Sequence, residues 1–250
     1  MVRLDLMTSL APHCPTTRPV AAIAVLVAAL LGAPQTASAF ETDVKQDLAL
    51  WSLAFVNHDF DDHWSVSFQT EVRVKDEVTS LDEAVFKAGG YYRFNDWLEL
   101  GIGYNYIYKN DGANDNVAWE ELYVRHPFQV FGFTHQVRLE QRFIQDISGT
   151  IPRLRYLVHV TTPLSPLFYF ALSEAFRFNL VDKGTGPVSG FEQNRLYAGF
   201  GVHASKYLRV ELGYLWRFEL ERMRPSKSDH VIRIQLHFAT NGRHPSRGGS

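Results

Sequence analysis

The residues with the greatest chemical potential in this chain are arginines and glutamates that recur at every second position. Glu71-x-Arg73-x-Lys75, Arg138-x-Glu140-x-Arg142, Arg153-x-Arg155, Arg209-x-Glu211 and Arg217-x-Glu219 all follow this spacing. Side chains two apart share one face of a β-strand, so each run builds a charged face. Guanidinium groups present planar forks of donors that match carboxylate and phosphate oxygens, so a wall of them points to anion recognition. The interleaved glutamates offer an alternative, in which Arg and Glu interlock across strands as a packed ion-pair ladder.

On this spacing the candidate anion-binding residues are Arg73, Arg93, Arg125, Arg138, Arg142, Arg153, Arg155, Arg177, Arg195, Arg209, Arg217 and Arg233. Lys75, Lys87 and Lys109 share their phase and bring the cations to fifteen. The acids in the same phase are seven: Glu71, Glu83, Glu99, Glu121, Glu140, Glu211 and Glu219. That face carries a surplus of about eight positive charges, while the whole chain has a formal net charge of −2. Other chemistry is sparse. His159, His203, Ser173 and Ser205 are the raw material for a lipid-modifying hydrolase, but no GxSxG, HExxH or paired-cysteine motif surrounds them. Glu120 and Glu121 beside Trp119 read as loop-end charge more readily than as an acid pair. With no glycine-rich phosphate loop and no basic helix, neither a nucleotide or metal cofactor nor a nucleic-acid partner is expected.

The elements that position these charges follow from the residues between them. Trp64, Val66, Phe68, Thr70, Val72 and Val74 alternate with Ser65, Ser67, Gln69, Glu71, Arg73 and Lys75. The same period of two recurs over 98–109, 208–219 and 232–238, giving one apolar and one polar face. Turn formers separate the runs, as in Asn95-Asp96, KNDGANDN at 109–116 and DISGTIP at 146–152. Strands are expected near 47–57, 63–75, 82–94, 97–109, 117–128, 132–146, 151–162, 167–180, 191–203, 207–221 and 229–239. Most reach the ~9–11 residues that cross a bilayer obliquely. A soluble sandwich or lipocalin-like barrel would turn the apolar face inward, whereas a membrane barrel turns it to lipid. Strand length, aromatic residues near run ends (Trp64, Trp97, Trp216, Tyr92, Tyr108, Tyr214) and alternating tight and long connections favour the second.

The fold class expected is therefore all-β, a transmembrane antiparallel up-and-down barrel of about ten to twelve strands. Single-chain bacterial barrels have an even count, so ten or twelve is expected over eleven, with a further strand around 41–46 or a miscounted pair. Glu174 falls on the apolar face of Phe168, Phe170, Leu172, Phe176 and Phe178. A bulge or phase change is expected there.

Residues 1–39 read as a cleaved secretory signal: Arg3 and Arg18, an apolar run over 20–32, then Ala37-Ser38-Ala39. A buried N-terminal helix is the alternative. Residues 40–239 form the barrel and 240–250 a polar tail. Cys14, the single cysteine, leaves with the signal, so no disulfide framework is expected.

Several short motifs accompany this pattern. They are Gln46-Asp47 with Trp51, Trp64-Ser65 leading to Glu71-Val72-Arg73, and Gly90-Tyr91-Tyr92-Arg93-Phe94. Further on come Arg138-Leu139-Glu140-Gln141-Arg142-Phe143, Arg153-Leu154-Arg155-Tyr156 and Gln193-Asn194-Arg195-Leu196-Tyr197-Ala198-Gly199. Together they resemble the domain-of-unknown-function 2490 family of bacterial outer-membrane proteins. The resemblance implies a barrel and carries no activity. The polar tail departs from it, since such barrels typically end on an aromatic residue. The expected location is the bacterial outer membrane, with partners in its lipid and lipopolysaccharide, in periplasmic chaperones and in the barrel-assembly machinery. The functional expectation is a narrow anion-preferring pore or solute-binding barrel. The alternatives are a packed barrel without transport and a lipid-modifying enzyme.

Overall fold

The computed structural model describes residues 44–128, 131–183, 187–221 and 225–242. The expected signal peptide and residues 243–250 of the tail lie outside them.

Eleven strands form one closed barrel: β1 (Val44–Asp59), β2 (Trp64–Lys75), β3 (Ser80–Arg93), β4 (Leu98–Lys109), β5 (Asp115–Pro127), β6 (Gly132–Ile144), β7 (Ile151–Pro163), β8 (Phe168–Asn179), β9 (Gly190–His203), β10 (Leu208–Glu219) and β11 (Ser226–Ala239). Each strand pairs with its sequence neighbours in antiparallel register, and β1 closes on β11 in parallel from Val44↔Ser226 to Asn57↔Ala239. This corrects two expectations, the even strand number and the uniformly antiparallel sheet. With an odd count of alternating strands the first and last must point the same way, so the seam can only be parallel. Residues 44–46 lengthen β1 instead of forming another strand.

Four of the tight turns share one device. Asp61 accepts the backbone N–H of His63 and Trp64 at 2.7 and 2.6 Å, and Asn95 accepts those of Trp97 and Leu98 at 3.0 and 2.9 Å. Ser165 and Ser205 do the same for Leu167 and Phe168 and for Tyr207 and Leu208. A short polar side chain that caps the N–H groups two and three residues on closes the turn without longer chain. Two of these caps bear on charge and position. The N–H donors hold the Asp61 carboxyl below its ordinary range. At the opposite end, Asp76, Glu77 and Val78 all have left-handed φ, and Asp47 of β1 accepts the N–H of Asp76 and Glu77, tying this loop to the seam.

Alternation sorts the side chains as the sequence implies. Phe68, Val72, Phe86, Ile102, Phe200 and Leu212 are exposed on the outer wall, while Glu71, Arg73, Glu99, Glu121, Arg138, Glu140 and Arg155 are buried on the inner one. This is the reverse of a soluble barrel, which hides its apolar face. The bulge expected at Glu174 is not there. Glu174 stays in register opposite Leu196, on the outer wall, where Asn194 Nδ2 donates to it at 3.2 Å. The register shift lies further along, between Arg177 and Phe178.

Candidate functional site

The inner wall divides into three levels. Just on the tight-turn side of mid-strand, glycines make room for large aromatic rings. A Cβ on Gly103 would come within 2.3 Å of the Ala88 carbonyl and 2.2 Å of Trp119 Cζ2, so only glycine lets the Trp119 ring lie flat against β4. Gly199 and Gly213 flank the Tyr197 ring in the same way. Tyr197 donates to Glu211 Oε1 at 2.7 Å, and Trp119 donates through its indole N–H to Asn105 at 2.8 Å.

At mid-height, the waist, lie most of the sequence-predicted arginines. Three pairs face each other directly across neighbouring strands: Arg138 and Arg155, Arg155 and Arg177, and Arg195 and Arg217. Several are clamped by carboxylates. Nε and Nη2 of Arg138 both reach Glu121 Oε2 at 2.5 Å, and those of Arg142 reach Asp115 Oδ2 at 2.7 and 2.6 Å. Arg153 holds Glu140 Oε2 at 2.6 and 2.5 Å, and Arg217 holds Asp229 with the same edge of its guanidinium. Arg73 lies between Glu71, at 2.7 Å, and Glu83. Trp51 of β1 projects into the lumen, with the guanidiniums of Arg73, Arg195 and Arg217 at 4.3, 4.8 and 5.3 Å from its ring. Arg233 lies over Tyr197, and Lys87 and Arg138 lie over Trp119.

Arg93 and Arg125 sit lower, sharing Glu99 at 3.5 and 3.1 Å, and Arg209 lies beside Tyr169 at 6.0 Å. A cavity of about 100 Å³ occupies the waist, walled in part by Arg138, Arg155, Arg177 and Arg195.

The third level is the mouth among the long loops, a vestibule of about 500 Å³ that shares Glu83, Lys109, Arg217 and Glu219 with the waist cavity. Here acids dominate. Asp47, Asp76, Asp82, Asp111, Glu221 and Asp229 join Glu83 and Glu219, against Lys45, Lys75, Lys109, Arg217 and Lys227.

The count from alternation omitted several inward acids, among them Asp82, Asp115, Glu192 and Asp229, and these four alone halve its surplus of about eight. Two of them come from bulges. The β2–β3 register skips Asp82, which reaches Lys75 at 3.3 Å. The β8–β9 register skips Glu192, which reaches Arg142 and Arg153 at 3.4 and 3.1 Å. A bulge lets two successive residues face one side. The only sequence trace is the adjacency of two polar residues, Asp82-Glu83 and Glu192-Gln193.

The enzyme alternative gains no assembled site. His159 and Ser173 stand opposite each other on the inner wall, yet His159 Nδ1 has no hydrogen-bond partner among the described residues. Glu120 faces outward to Gln141 at 3.2 Å and Glu121 faces inward, so they form no acid pair.

Comparison with known proteins agrees with this architecture. A porin structure, NanC, superposes with a TM-score of 0.53 at 12% identity, covering 77% of this chain and 98% of that one. An uncharacterised protein of Methylorubrum extorquens is 25% identical over 179 residues, 67% of this chain and 77% of that protein. The profile of the protein family of unknown function DUF2490 matches residues 48–239. With that match reaching all eleven strands and omitting only the first four residues of β1, the chain belongs to the domain-of-unknown-function 2490 family.

Proposed function

We propose that this barrel is a narrow outer-membrane channel that admits small anions. One observation carries the reading: arginine stands opposite arginine across β6–β7, β7–β8 and β9–β10 at the waist. Like charges directly opposed across strands are destabilising. A lumen that only needed to be filled would pair every arginine with an acid. A concentrated cationic belt inside a low-dielectric wall attracts anions and repels cations. The outward apolar face and its exposed aromatic residues, among them Phe60, Trp64, Phe94, Trp97 and Phe168 at the tight-turn end, suit a lipid environment with an interfacial girdle. The fold likeness to a porin is in keeping with this.

A second reading, a packed barrel without transport, is favoured by Trp51, which projects into the lumen and packs against Arg195 of β9. The two readings separate in a planar bilayer. For the channel, a salt gradient gives a reversal potential of anion sign, and Trp51→Ala raises the conductance. The acid-rich mouth above a cationic waist makes the charge profile asymmetric, so the current should rectify. Absence of conductance in both parent and Trp51→Ala barrels, or cation preference, sinks the channel.

A further inference from the structure

We infer that Arg155, Arg177 and Arg195 form a discrete site at the waist for one small oxyanion of the phosphate or sulfate type. The inference rests on the anion-channel reading and gives it a ligand class.

The case begins with which edge of each guanidinium is used. In Arg142, Arg153 and Arg217, Nε and Nη2 together grip one carboxylate oxygen. In Arg155 the same two atoms are buried and have no hydrogen-bond partner among the described residues. Arg155 is 2% exposed, so its donors cannot turn to bulk water. Nε of Arg177 and Nη2 of Arg195 are likewise buried and unpartnered, while Arg195 spends its Nε on Gln193 Oε1 at 2.5 Å.

Register brings the three together. Arg155 is directly opposite Arg177, and Arg177 is opposite Gln193, two residues from Arg195 on the same face. The nearby acids are already held: Glu140 by Arg138 and Arg153, Glu121 by Arg138, and Glu192 by Arg142 and Arg153. Buried donors left without acceptors are costly, about 1–3 kcal/mol each and more when charged.

All three residues line the 100 Å³ waist cavity, which has room for an anion of a few heavy atoms. Converging donors from three guanidiniums match an ion with several oxygens and about two negative charges better than they match chloride, which has no separate acceptor atoms to share among forks.

The test uses the full barrel, folded in detergent and checked by its heat-modifiable gel shift. Inorganic phosphate and sulfate are titrated calorimetrically in a chloride background, with intrinsic tryptophan fluorescence as a second readout. Expected is saturable binding of one oxyanion per barrel, weakened at least tenfold in Arg155→Gln. Arg155→Lys, which keeps the charge and loses the fork, should be weakened nearly as much. Lys206→Gln, in an exposed tight turn, should bind as the parent does. No saturation, equal affinity in the Arg155 variants and the parent, or equal competition by chloride would overturn the site. Loss of the site with an anion-sign reversal potential intact would leave the channel standing. Oxyanion binding in a barrel that never conducts would refute the channel and keep the site.

Discussion

Arg153 and Arg155 are two residues apart on one strand, face the same lumen and are both buried, yet they live in different electrostatic worlds. Arg153 meets Glu140 across the β6–β7 register and takes Glu192 from the β9 bulge. Arg155 meets Arg138 on one side and Arg177 on the other. The wall from β5 to β7 around Arg138, Arg142 and Arg153 is thus an ion-pair lattice, and the patch from β7 to β9 around Arg155, Arg177 and Arg195 is a cluster of donors. Residue type is the same in both. Register alone decides which arginine is neutralised, because a shift of two residues along one strand exchanges a glutamate for an arginine opposite.

Stability measurements should separate the two regions, read as urea unfolding of the barrel in lipid vesicles. Glu140→Gln should have the largest effect, a loss of about 3–5 kcal/mol, since removing one partner of a buried pair leaves the others uncompensated. If it costs nothing, the lattice is not structural. Gly103→Ala should cost about 1–3 kcal/mol by pushing Trp119 off the wall, and with it the ring beneath Arg138. Arg155→Met should lie within about 1 kcal/mol of the parent or stabilise it, because it relieves repulsion and breaks no pair. A loss as large as that of Glu140→Gln would erase the distinction between the two regions.

Asp61, in an exposed turn outside both, serves as the smallest effect. Its carboxyl is held below its ordinary range by the N–H groups of Trp64 and His63, so its contribution is present at neutral pH and fades as pH falls through its lowered value. Asp61→Asn should therefore differ slightly from the parent at pH 7 and merge with it in strong acid, as unfolding curves at the two pH values would show.

What the sequence disclosed and withheld follows from the range of the interactions. Each strand announces itself through local alternation, so all eleven segments lie within a few residues of their expected places, 47–57 against Val44–Asp59 for example. Four of the tight turns are as local, each set by one Asp, Asn or Ser. The parallel seam joins residues such as Trp51 and Arg233, whose pairing no nearby residue encodes, and an even count was the expectation there. The inward arginines were legible from phase. So were partners such as Glu71, Glu121 and Glu140, whereas Glu192 and Asp82 were not, because they face inward only through bulges that break that phase. Glu174 shows the converse: a charge on the apolar face looked like a phase change, yet β8 keeps its register there and the neighbouring β9 supplies Asn194 as a hydrogen-bond donor.

The account depends most on whether the unpaired arginines attract anions, and a salt-gradient reversal potential in a planar bilayer asks this directly. The parent barrel should give a potential of anion sign, and the triple variant Arg155→Gln, Arg177→Gln, Arg195→Gln should bring it close to zero while leaving a folded, conducting barrel. An identical potential in the two, or a potential of cation sign in the parent, would contradict it.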